Sequence, residues 1–108
     1  MTDAAVVGAI QHYLRELGNK GIEAPFGVLF GSHATGKADA WSDIDLVVIS
    51  PRFDGAYSRE DVHLLWRVAA RADSRIEPVP CGVRQWAEDD SSVLIEIARR
   101  EGERIPVV

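Results

Sequence analysis

The residues of this chain best suited to chemistry are Gly31-Ser32 and, after ten intervening residues, Asp43-Ile44-Asp45. In a strand, residues two apart face the same way with Cα atoms about 6.6 Å apart, so the Asp43 and Asp45 carboxylates can converge on a hard cation. Without one they repel each other at a cost in stability. Gly31-Ser32 supplies a complementary half. Gly31 ends an apolar run without a side chain, and Ser32 is a good N-cap, so a helix beginning there would offer free N–H groups to a phosphate. Metal plus phosphate is the chemistry that such a pattern serves. The plain alternative is a glycine turn followed by two solvated aspartates on an open sheet face.

Positioning these residues requires strands ending and beginning at the right places. Phe26–Phe30 is a short apolar run after Pro25 and reads as a buried strand feeding the Gly31 turn. The small residues from His33 to Trp41 suit a short helix and a loop. Asp43–Ile49 is the best strand in the chain, alternating at first and then β-branched, and Ser50-Pro51 ends it. Before these, Val6, Ile10, Tyr13, Leu14 and Leu17 recur at helical spacing, and Gly18-Asn19-Lys20-Gly21 stops that helix. Between Arg59 and Ala72, the residues Val62, Leu65, Trp66, Val68 and Ala69 predict a second apolar helix face, widened by Leu64 and Ala72.

Ile76–Cys81 predicts a third strand, and because Pro78 and Pro80 cannot donate ladder hydrogen bonds it belongs at an edge or is irregular. Asp89-Asp90-Ser91-Ser92 predicts the cap of a last helix carrying Val93, Leu94, Ile97 and Ala98, with Arg99 and Arg100 near its C-terminal dipole and Gly102 just past it. The end of the chain, Ile105 to Val108, suits a short extended piece. There are no repeats, low-complexity tracts or linkers, so residues 1–108 are expected to form a single domain.

Composition narrows the partners. A net charge of -5 disfavours broad contact with long nucleic acid, which needs clustered Lys and Arg. A single triphosphate can still reach an acidic surface through a divalent metal. Cys81 is the only cysteine, so no intrachain disulfide forms and a cytoplasmic location is expected. No apolar stretch approaches a membrane span and no leader precedes Ala4, so neither membrane anchor nor signal peptide is expected.

Gly31-Ser32-His33-Ala34-Thr35-Gly36, followed by Trp41-Ser42-Asp43-Ile44-Asp45-Leu46-Val47-Val48, resembles the signature of the DNA polymerase beta-like nucleotidyltransferase superfamily. The short chain is similar to its minimal, stand-alone members. The resemblance implies an α/β (α+β) fold, with a small mixed sheet of three to four strands and helices packed on one face. It implies that Gly31 and Ser32 hold a triphosphate while Asp43 and Asp45 bind Mg²⁺, two ions in all, with ATP as substrate. A third acid on a neighbouring strand completes such sites and activates the acceptor hydroxyl, and Glu77 is the matching residue. Two departures stand out: Glu77 is followed by Pro78, and Thr35 stands where the family often has a basic residue, which passes the phosphate contact to Lys37 or His33.

Minimal members of the superfamily commonly act with an all-helical HEPN-domain protein, as antitoxins that modify a toxic partner by AMP transfer. The resemblance therefore implies a nucleotidyltransferase that places AMP on a tyrosine or other hydroxyl of a HEPN toxin, in a type VII-like toxin–antitoxin pair. Two other readings stay open. One is an aminoglycoside-type enzyme acting on a small molecule, with the chain as a homodimer; the other is a catalytically weak antitoxin that acts by binding.

The remaining residues carry plainer expectations. His12 and His63 belong on helix surfaces, His33 is expected to be solvated, and Cys81 is expected to be a small buried apolar residue. Trp66 is expected in the core and Trp41 packed over its loop. Glu88-Asp89-Asp90 reads as a solvated turn and cap.

Overall fold

A computed structural model describes residues 3–39 and 41–108. In chain order the elements are α1 (Ala4–Asn19), β1 (Phe26–Phe30), α2 (Ser32–Thr35), β2 (Ile44–Ile49), a 3₁₀ turn (Pro51–Phe53), α3 (Arg59–Ala72), β3 (Ile76–Cys81), α4 (Val83–Glu88), α5 (Val93–Glu101) and β4 (Glu103–Pro106). The strands form one mixed sheet in the order β3-β2-β1-β4. β1 is antiparallel to β2 and β4, while β2 and β3 run parallel, joined by α3.

Local chemistry starts the helices where the sequence suggested. The Asp3 carboxylate accepts from the Ala5 N–H (2.7 Å), Ser58 Oγ from Asp61 N–H (3.2 Å) and Ser92 Oγ from Ile95 N–H (3.3 Å), each satisfying an otherwise unpaired first-turn donor. Ser50 is fully buried just beyond β2; its hydroxyl donates to the Glu23 carbonyl (2.6 Å) and accepts from Arg52 N–H (3.2 Å). Those two bonds offset the cost of burying a hydroxyl.

The alternating side chains of β2 face two cores. Ile44, Leu46 and Val48 pack with α1 and α3, while Val47 and Ile49 pack with Val28, Cys81, Ile95 and Ala98. The mixed α/β fold is as expected, but helices cover both faces: α4 and α5 lie opposite α1 and α3. Tyr13, buried between α1 and α3, donates its hydroxyl to the Leu65 carbonyl (2.9 Å).

The prolines of β3 leave its pairing intact. Ile44 N–H donates to the Arg75 carbonyl (2.8 Å) and Ser50 N–H to the Cys81 carbonyl (3.0 Å), so the odd-numbered residues of β3 turn their peptide groups toward β2. Pro78 and Pro80 therefore point their ring nitrogens to the open side, where no ladder bond is lost. β4 follows the same logic: Val107 N–H donates to the Pro25 carbonyl (3.1 Å), which places the nitrogen of Pro106 on the outer side.

Four expectations need correction. Trp66 is 48% exposed, because at about 100° per residue it lies a quarter-turn or more from Leu65, whereas Val68, Ala69 and Ala72 cluster around Leu65. On α5 the buried residues are Ile95 and Ala98, while Val93 and Ile97 face outward. Trp41 is 90% exposed rather than packed. His33 is half-buried and hydrogen-bonded rather than solvated. Cys81, His12 and His63 lie as expected, the first buried and the others exposed.

Candidate functional site

β1 delivers its last residue beside the start of β2: Phe30 is in register with Asp45. The chain then turns at Gly31, with φ 76° and ψ -150°, a region that side chains rarely adopt. A Cβ on Gly31 would collide with the Asp45 carboxylate. Glycine is thus required twice over, by backbone conformation and by the neighbouring carboxylate. Gly31, rather than Ser32, is the N-cap of α2, and it brings no side-chain capping bond; Ser32 is the first residue of the helix. As at any helix start, the first-turn N–H groups have no intrahelical acceptor.

The loop from α2 to β2 is braced. Asp39 N–H donates to Ser42 Oγ (3.0 Å), Ser42 N–H to the Asp39 carbonyl (3.2 Å), and the Asp39 carboxylate accepts from Trp41 N–H (2.9 Å) and Ser42 Oγ (3.2 Å). His33 Nε2 lies 3.2 Å from the Ser42 carbonyl. A carbonyl can only accept, so the proton sits on Nε2 and ties α2 to the residue before Asp43. Lys37, exposed just beyond α2, meets the loop through its backbone N–H, which donates to the Ser32 carbonyl (3.0 Å).

Glu77 enters from β3. It is in register with Asp45 on the adjacent parallel strand, and both side chains lie on the α4–α5 face, as the alternation with Val47 and Cys81 requires. Three carboxyls thus meet at one end of the sheet, and their electrostatics reflect it. Glu77 is pushed above its ordinary value first by a hydrogen bond shared with Asp43, then by desolvation and by the charges of Asp43 and Asp45. Asp45 is raised by burial and by Asp43, with His33 opposing. Carboxyls that resist ionising together are a donor set for a hard divalent cation, whose charge would remove the repulsion. Among the described residues no group of three or more His, Cys, Asp or Glu side chains is arranged so that it could hold a metal ion. By donor type, three neighbouring carboxyls suit a hard cation such as Mg²⁺.

A second pair supports this end of the sheet. Asp73, the C-cap of α3, accepts from Arg75 through the backbone N–H (3.0 Å), Nε (3.1 Å) and Nη2 (2.8 Å). Arg75 holds the Asp73 carboxyl below its ordinary range, and the Arg75 carbonyl receives Ile44 N–H. The turn into β3 is thereby fixed to the start of β2, two residues before Glu77. Sequence reasoning passed over this pair, although an Asp two residues before an Arg at a helix end is an Asx-turn signal. A surface concavity of about 730 Å³ is not part of this centre: it includes Pro25 and Val107, at the opposite end of β1 from Gly31.

The family profile of the nucleotidyltransferase domain matches residues 15–98. Two solved structures share the fold. One, described as a toxin–antitoxin with AMP-PNP, is 21% identical with a TM-score of 0.61, over 91% of this chain and 73% of that one. The other, a putative nucleotidyltransferase from Sulfolobus solfataricus, is 12% identical with a TM-score of 0.61, over 93% of this chain and 78% of that one. No curated protein matches the sequence significantly. With the profile running from the C-terminal part of α1 into α5 across every candidate residue, this chain belongs to the nucleotidyltransferase domain family.

Proposed function

We propose that the chain transfers AMP from ATP to a hydroxyl of a protein partner, and that this partner is the toxin of a toxin–antitoxin pair, of the HEPN class. The observation that carries the catalytic part is the meeting of Asp43, Asp45 and Glu77 beside the Gly31 turn. The toxin–antitoxin neighbour crystallised with AMP-PNP supports the choice of partner and nucleotide.

Each residue has a distinct part in this reading. Gly31 lets a phosphate approach the backbone, and the first-turn N–H groups at Ser32 face its oxygens. Lys37 lies close enough in sequence to α2 to contribute charge to the same phosphates. Asp43, Asp45 and Glu77 would hold Mg²⁺, which when bound supplies charge neutralisation at the triphosphate. In the transfer, the acceptor oxygen forms a bond to the α-phosphorus, the bond to the bridging oxygen breaks, and pyrophosphate leaves with that electron pair. The hydroxyl proton passes to a carboxylate, and Glu77, on the strand beside Asp45, is given that part.

The test is incubation of the purified chain with Mg²⁺ and α-phosphate-labelled ATP in a lysate of its host, beside the Asp43→Asn, Asp45→Asn double variant. Label on a single protein band, absent with the variant, supports the proposal. Label confined to small molecules would instead favour a small-molecule acceptor. Neutralisation of the toxin by the double variant as well as by the wild type would mean that the chain acts by binding.

A further inference from the structure

Trp41 is the most exposed large apolar residue next to the site: its side chain is 90% exposed, two positions before Asp43. Its ring meets no aromatic or guanidinium partner among the described residues. It lines none of the five surface concavities of about 440 to 730 Å³. An indole in water forfeits about 150–250 Å² of apolar burial, and a mobile loop would at least let it fold back. Here Trp41 N–H donates to the Asp39 carboxylate (2.9 Å), Ser42 bonds to Asp39 through backbone and side chain, and His33 lies against the Ser42 carbonyl. The backbone on either side of the indole is thus tied to the loop, so that covering the ring costs side-chain freedom more than backbone freedom.

We infer that Trp41 is the anchor on which a protein acceptor docks, inserting into an apolar pocket of the partner and so setting the acceptor class of the transfer. The inference rests on the proposed transfer and deepens it. Three observations favour a protein over a nucleobase or a small molecule. The ring projects outward, whereas a base or small substrate is held best between two walls, and among the described residues no second ring or guanidinium faces Trp41. The loop runs directly into Asp43, so a surface seated on Trp41 lies against the carboxylates. Asp39, exposed beside Trp41 and outside the proposed metal site, and the chain's net charge of -5 suit a partner with basic residues around its hydroxyl. Proline nitrogens on the outer sides of β3 and β4 disfavour docking by strand addition, which leaves side-chain insertion as the mode.

The test uses the full chain with Trp41→Ala, Trp41→Phe and Asp43→Asn. It reads ATP affinity in Mg²⁺ by calorimetry, label transfer to the host-lysate acceptor band, and melting temperature. Trp41→Ala is expected to melt like the wild type and bind ATP within about twofold, while transfer falls about 10- to 100-fold, the loss typical of a buried tryptophan anchor. Trp41→Phe should recover part of it. A loss of ATP affinity matching the loss of transfer overturns the inference in favour of base stacking, and unchanged transfer overturns it outright. Protein labelling that is absent with the wild type, or undiminished by Asp43→Asn, defeats the transfer reading itself and this inference with it.

Discussion

Gly31 and Asp45 share a volume that admits no Cβ. Gly31→Ala must either move the carboxylate or leave φ 76°, so it should lower stability by about 1–3 kcal/mol and reduce transfer as well. Denaturant unfolding and label transfer on one preparation check both. Cys81 lies in the α4–α5 core and is pushed up to about 11, chiefly by burial. The unfolded chain ionises this thiol near its ordinary 9.0, so the stability it contributes is intact below pH 9 and lost as the pH rises toward 11. Buried Tyr13, raised for the same reason, adds a loss of the same sign at higher pH. The urea midpoint should therefore fall above pH 9, and a thiol reagent at pH 8 should reach Cys81 only after unfolding. A midpoint constant to pH 11 would contradict the burial argument.

At the scale of elements, the start of β3 is fixed by Asp73 and Arg75 together with the Ile44–Arg75 bond. Arg75→Ala should lower stability by only about 1 kcal/mol, because Arg75 is partly solvated. Transfer should fall by about tenfold or more, because small displacements of a catalytic group are amplified in rate. Arg75→Lys should restore little, since an ammonium cannot make the two-pronged contact. Equal losses in the two measurements would make the pair merely structural. The elements themselves were largely legible in the sequence. Helical spacing located α1 and α3, and the β-branched run after Asp45 located β2. Less was legible where tertiary contact decides. The short α4 is amphipathic only once Trp86 meets Phe26 and Arg99. Ile95 takes the core position on α5 because that helix crosses β1, which no periodicity discloses. At the site, Gly31, Asp43 and Asp45 could be read from spacing; that Glu77 stands in register with Asp45 despite Pro78 depends on peptide orientations that only the sheet reveals.

The whole molecule is a single sheet with both outer strands guarded by proline, a device against edge-to-edge association. Pro78→Val with Pro80→Val would restore two outward N–H donors on β3 while keeping the inward ladder. That variant should fold and show a concentration-dependent gain in mass by light scattering; a strictly monomeric variant would mean that proline is not what guards the edge. Under the proposed function, the exposed Trp41 and the closed edges suit a domain that meets its partner beside Asp43 and Asp45. The most direct test of that account compares ATP labelled at the α-phosphate with ATP labelled at the γ-phosphate, each with the wild type and the Asp43→Asn, Asp45→Asn variant. The account predicts acceptor label from the α-position only, from the wild type only. Label arriving from the γ-position, or persisting without the two aspartates, would contradict it.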